Sequence, residues 1–267
     1  MSSFPYKNVV MIGATSGIGL ALAERMIENG VFVIGVGRRK DRLDDFVAKH
    51  GADKCAASQF DITHLESIQS WVEGLLKQHP HVDAVVLNSG IQRTLDFTNP
   101  QGIDLSRVHQ EITTNYTSYI SLLTYFLPHL QVRGPQSPAA VIAVTSGLAV
   151  VPMPRCGNYC ATKSALHSLL WSVRAQLAAD EHSKHIKVVE ILPPAVQTEL
   201  HTQQPDLVAR GLGDIGITLQ EFTDEAWAGL TRGDDEIPVG PNRENLVKME
   251  EGRRQAFQGM VKNVGTK

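Results

Sequence analysis

Asn8-Val9-Val10-Met11-Ile12-Gly13-Ala14-Thr15-Ser16-Gly17-Ile18-Gly19 runs a short apolar strand straight into a glycine-rich turn, and Leu20-Ala21-Leu22-Ala23-Glu24-Arg25-Met26-Ile27 continues it as a helical pattern. Glycines at such a turn let the backbone bend tightly and approach a pyrophosphate, whose charge the free amides and dipole of a helix N-terminus stabilise. Taken by itself, a glycine turn with no ligand fits this stretch equally well. The remainder of the chain keeps alternating. Strands are expected near 8–12, 31–36, 54–59, 82–87, 139–145, 186–192 and 236–239, and helices near 17–29, 40–50, 65–78, 105–130 and 158–179, with another in the tail after Asn242. That alternation predicts a single α/β domain: a doubly wound parallel sheet of about seven strands, helices on both faces, ligands at the carboxyl ends of the strands.

A second constellation lies at the end of the fifth expected strand. Ser146 follows the apolar run Ala139–Val144, and Tyr159 and Lys163 stand four apart in the helix beyond it. That spacing places phenol and ammonium on one helix face, where a positive charge can lower the phenol's pKa toward neutrality. A Tyr-x-x-x-Lys pair without company is ordinary surface decoration; here Ser146 and the glycine turn accompany it.

Motifs and spacing together resemble the short-chain dehydrogenase/reductase family. The resemblance rests on Gly13-x-x-x-Gly17-x-Gly19, Asn88-Ser89-Gly90, Asn115, Ser146 with Tyr159 and Lys163, and Pro193-Pro194-Ala195-Val196-Gln197-Thr198. Ile12 stands where the family usually has threonine, and Pro194 where it usually has glycine. From Pro193 through Asp235-Glu236-Ile237-Pro238-Val239-Gly240 the chain looks most like the group related to the bacterial D-alanine-transfer-associated oxidoreductase and its fungal relatives. The resemblance implies a Rossmann-like fold, a nicotinamide cofactor and the catalytic set Asn115, Ser146, Tyr159 and Lys163. In that set Tyr159 donates the proton, Ser146 holds the carbonyl oxygen, Lys163 also bonds the nicotinamide ribose, and Asn115 keeps a water in line.

Cofactor contacts are expected from Gly13, Thr15, Ser16, Gly17, Ile18, Gly19, Asn88, Gly90, Pro193, Val196 and Thr198, and from Asp61 at the adenine. The second strand is followed by Gly37-Arg38-Arg39-Lys40, with no carboxylate where one would hold free ribose hydroxyls. Two arginines there favour a 2′-phosphate, hence NADP(H); a solvated helix start is the plainer alternative for part of this run. Ile91, Leu148, Val150, Met153 and Leu200 are expected to line a mainly apolar substrate pocket. The segment 198–234 breaks the alternation at Gly211, Gly213 and Gly216 and reads as a substrate lid, or as a small packing unit without gating.

Composition excludes several classes. A length of 267 residues and 42% hydrophobic content suit one large core. A net charge of −3 gives no sign of nucleic acid. No apolar run reaches the ~20 residues needed to cross a membrane, and Met1-Ser2-Ser3-Phe4-Pro5 lacks a signal-peptide pattern. Cys55, Cys156 and Cys160 have no metal spacing, so a reducing, cytoplasmic setting and packing thiols are expected, with no metal. Excess apolar residues on 105–130 and 158–179, Trp171 among them, suggest a homodimer or homotetramer, unless the lid or tail covers them. The function expected is an NADP(H)-dependent interconversion of a carbonyl and an alcohol. The alternatives are a non-redox cyclase or isomerase on the same fold, or a cofactor sensor.

Overall fold

The computed structural model describes residues 4–134, 137–241 and 243–266. Met1-Ser2-Ser3, part of the leader reading, and Asn242, where the sequence starts the tail helix, lie outside them.

Seven strands form one sheet: β1 (Asn8–Ile12), β2 (Phe32–Gly37), β3 (Cys55–Gln59), β4 (Ala84–Leu87), β5 (Ala139–Val144), β6 (Ile186–Leu192) and β7 (Glu236–Pro238). All neighbours pair in parallel, in the order β3-β2-β1-β4-β5-β6-β7. The order reverses direction between β1 and β4, the position where a doubly wound sheet opens a crevice. The central strands read as continuous apolar runs because both faces are covered, and every residue of β4 and β5 is buried.

On one face pack α1 (Gly17–Glu28) and, with the edge of α2 (Lys40–His50), the side chains Leu22, Met26 and Phe46. The other face carries α3 (Ile68–Gln78), then α4 (Leu105–Ile112), α5 (Ser118–Val132) and α6 (Gly157–Ala178), with Tyr119, Leu122, Phe126, Leu166 and Leu170 in its core. The single helix expected over 105–130 is divided. Thr113–Thr117 forms a π turn between α4 and α5, with Asn115 fully buried in it.

After β6 come two short helices, α7 (Glu199–Thr202) and α8 (Pro205–Ala209), then α9 (Leu219–Arg232), β7 and the tail helix α10 (Arg243–Val264). The expectation of a lid over 198–234 is corrected for its second half. Leu219–Arg232 is a crossover helix of the scaffold, with Phe222, Ala226 and Leu230 buried in the same core as α1. Thr218 caps it reciprocally with Glu221, and Gly233 ends it at φ 81°. Within 198–234 the residues that line the crevice, from Thr198 to Ile215, all precede it. The Trp171 ring, expected at a partner surface, is also placed otherwise: it is 4% exposed and lies under α10, against Phe257 and the guanidinium of Arg253.

Candidate active site

The site begins with the glycine turn. Gly13 and Gly17 adopt φ of 91° and 55°, which L side chains rarely take. Gly13 and Ala14 amides both bond Val36 O, at 2.8 and 3.0 Å, which folds the turn over the end of β2. Ser16 ends the turn as N-cap of α1 with no side-chain cap bond, and the first amides of a helix have no acceptor within the helix. Gly19 does not line the cavity, contrary to its expected cofactor contact. A Cβ there would fall 2.1 Å from Gly13 O and 2.4 Å from Asn88 Nδ2, so its task is to let helix and loop pack.

Asn88 donates to Gly13 O at 3.1 Å and so ties the loop after β4 to that turn. Asn115 holds the next stretch. Its Oδ1 accepts from Ile91 N at 2.9 Å, its Nδ2 donates to Ile91 O at 2.8 Å and to Thr162 Oγ1 at 3.2 Å. Asn115 is thus a buried brace between the β4 loop and α6, behind the cavity and not on its wall.

Ser146, just past β5, caps a short 3-10 turn by accepting from Leu148 N at 3.1 Å. Its hydroxyl also bonds the phenol of Tyr159. Lys163, only 3% exposed, donates to Val144 O at 2.9 Å and lies 5.7 Å from the Tyr159 ring centre. The expectation that Lys163 draws the phenol's pKa down is corrected in this setting. Burial drives Tyr159 above its ordinary value, only partly opposed by Ser146. Burial likewise presses Lys163 down, to about 8, while Glu190 pulls the other way. The physical cause is desolvation of both charged forms.

These groups open on one cavity of about 1390 Å³, lined by Gly13, Thr15, Ser16, Gly17, Ile18, Asn88, Gly90, Ser146, Tyr159, Lys163, Pro193, Val196 and Thr198. A single small ligand fills roughly 300–1,000 Å³, so the space suits a dinucleotide beside a substrate. Ile91, Leu148, Met153 and Leu200 line it as expected. Val150 does not, and Val151 does: the 3-10 turn at 147–149 brings residues three apart to one side.

At the far end stand Arg38, Arg39 and Asp61. Arg39 is engaged by Thr15 Oγ1 at 3.0 Å, Ser16 Oγ at 2.7 Å and Glu199 Oε2 at 2.7 Å. Arg38 is freer, its side chain 59% exposed and 3.7 Å from Asp61. Asp61 accepts from Thr63 N and Oγ1, and these bonds, with Arg38, overcome its burial and hold its carboxyl below the usual range. Pro194, in the place of a glycine, is accommodated by Gly240 at φ 88°, where a Cβ would sit 2.8 Å from the proline Cγ.

Sequence reasoning missed several wall residues. Glu111 is buried, accepts from Arg93 N at 2.8 Å and Asn158 Nδ2 at 2.6 Å, and has its carboxyl pushed up by burial. Its position four before Asn115 was the available signal. Leu246 and Met249 of α10 also line the cavity, and nothing local in the sequence marks the tail as part of the site. Cys156 and Cys160 lie 3.9 Å apart, buried, with the Cys156 thiol raised to about 12 by burial, which leaves them as packing groups.

A parallel doubly wound sheet with a glycine turn and a buried Ser-Tyr-Lys set at its mouth defines the class of short-chain oxidoreductases. The sequence profile of the short chain dehydrogenases matches residues 7–207, and the chain belongs to that family. It is 33% identical to the oxidoreductase DltE of Bacillus subtilis (strain 168), over 97% of this chain and 96% of that one. It is 29% identical, over 81% of each chain, to a benzil reductase ((S)-benzoin forming) of Saccharomyces cerevisiae. Among solved structures, a short chain dehydrogenase from Burkholderia cenocepacia J2315 in complex with NADP superposes with a TM-score of 0.75, at 25% identity, over 96% of this chain and 98% of that one.

Proposed function

We propose that the protein is an NADP(H)-dependent oxidoreductase that interconverts a carbonyl and an alcohol on a small, mainly apolar substrate. The observation that carries this reading is the meeting of Ser146, Tyr159 and Lys163 with the glycine turn in one cavity. When bound, the nicotinamide supplies the hydride. Tyr159 gives its proton to the carbonyl oxygen, and Ser146 Oγ holds that oxygen beside the phenol. Burial keeps Tyr159 protonated at neutral pH, the state a reduction needs. Lys163 binds the ribose with donors left over from its bond to Val144 O. Asn115 braces the wall through Ile91, and in this reading it also keeps a water in line to return the proton from solvent.

The preference for a 2′-phosphate rests on the charge at the end of β2. Gly37 offers no carboxylate, Arg39 is already shared among Thr15, Ser16 and Glu199, and Arg38 is the freer guanidinium on the cavity rim. The segment before α9, from Thr198 onward, is the substrate lid in this reading, and Leu200 is its apolar contact.

The test is NADPH and NADH oxidation with a panel of carbonyl compounds. Benzil is the first probe, given the benzil reductase relative. Turnover with NADPH and an apolar carbonyl is expected. Tight NADPH binding with no oxidation by any carbonyl would remove the redox reading.

A further inference from the structure

A buried chain of ionisable groups runs behind the catalytic set, and no step above uses it. His167 stands one turn after Lys163 on α6, also buried. Its Nδ1 is 2.9 Å from both carboxylate oxygens of Glu190 on β6, and its Nε2 is 3.1 Å from Glu250 Oε2 on α10. The relative exposures of His167, Glu190 and Glu250 are 1%, 0% and 7%. A neutral imidazole has one N–H and can satisfy one carboxylate only. Carboxylates on both ring nitrogens therefore call for an imidazolium donating on each side. Burial would press His167 down, but Glu190, with Glu250 behind it, holds it above its ordinary value. Glu190 also accepts from Thr145 Oγ1 at 2.5 Å. Thr145 lies between Ser146 and Val144, whose carbonyl receives the Lys163 ammonium.

We propose that Glu190, held by His167 and Thr145, is a positioning residue of the reaction centre: it fixes the Val144–Ser146 end of β5 and sets its negative charge against Lys163. The proposal rests on the redox reading above, in which Lys163 serves cofactor and proton step. A buried ammonium bonded to a neutral carbonyl needs a counter-charge nearby, and Glu190 is bonded to His167, one helix turn from Lys163, and to Thr145, next to the residue whose carbonyl Lys163 holds. The Tyr159 ring, on the same helix, has its centre 5.7 Å from the ammonium. Arg253 answers Glu250 from a half-exposed position at 3.2 Å, and Arg254, paired with Glu236, acts on Glu190 from farther away.

The experiment is a pH titration of the cofactor-free protein labelled with ¹³Cε-lysine, with Lys163→Met assigning the buried signal. Lys163 is expected to titrate near pH 8 in the unmodified protein. In Glu190→Gln the midpoint should fall by about one pH unit or more, and the alkaline loss of NADPH affinity should move with it. A folded Glu190→Gln protein with an unmoved midpoint overturns the proposal. If that variant does not fold because it strands the imidazolium, the double variant His167→Gln/Glu190→Gln carries neutral amides at both places, and its midpoint is read the same way. Loss of fold in both variants also overturns the proposal, since the pair would then be core and not a positioning device. The midpoint needs no turnover, so it separates failure here from failure of the redox reading.

Discussion

Tyr159 and Lys163 divide the proton chemistry by burial more than by charge. Burial raises the phenol, so it stays an acid across the physiological range, while the ammonium beside it is lost near pH 8. Lys163 is pressed downward, so its charged form is present below about 8 and gone above it. The efficiency of carbonyl reduction is therefore expected to hold at lower pH and decline through an alkaline limb near 8, measured as kcat/KM for NADPH against pH. Tyr159→Phe keeps the ring and removes the acid, so NADPH affinity should persist while turnover drops at least ~100-fold. A near-normal kcat in that variant would end the assignment of the proton donor. Arg38→Ala should lower NADPH affinity by about one to two powers of ten and leave NADH nearly unchanged, the loss of one charge-assisted contact. Equal affinities of the unmodified protein for both cofactors would rule out the NADP(H) preference.

The helix α9 shows where local pattern was legible and where it misled. Its capping box, Thr218 to Glu221, and its Gly233 terminus are sequence signals in themselves, yet the glycines at 211, 213 and 216 drew the whole of 198–234 into one lid. What decided the matter is tertiary: Phe222 and Ala226 bury against the α1 face, which no local window records. Thr218→Ala is expected to cost about 1 kcal/mol of stability, read as a lower urea midpoint with an unchanged slope. The strands and the glycine turn were readable because both-face burial leaves continuous apolar runs and a positive φ calls for glycine. The π turn at Thr113–Thr117 was not, since its side chains follow an unbroken helical pattern. Glu190 and His167 escaped for the same kind of reason. A carboxylate in a strand and a histidine in a helix look solvated until the fold places Glu190 and Glu250 on the two ring nitrogens.

Assembly depends on which apolar surface remains after the chain has covered itself. α10 takes Trp171 in cis, so part of the apolar excess on α6 is spent within one chain. On the same side of the sheet Ile120 of α5 stays 40% exposed and Leu105 of α4 63%, while Leu169 is only half-buried. We propose that this face pairs with its own copy about a two-fold axis, because an isologous contact closes on itself and leaves no open surface to propagate. Light scattering at micromolar concentration is expected to give two or four times the mass of one chain. Ile120→Glu puts a charge into that contact and should give a monomer with little loss of thermal stability. Trp171→Glu should do the opposite: it places a carboxylate beneath α10, so it should lower Tm by several degrees and loosen the cavity wall formed by Leu246 and Met249, with the mass unchanged. A single-chain mass for the unmodified protein, or a monomer produced by Trp171→Glu with Tm intact, would show that the covering helix and the partner surface have been assigned the wrong way round.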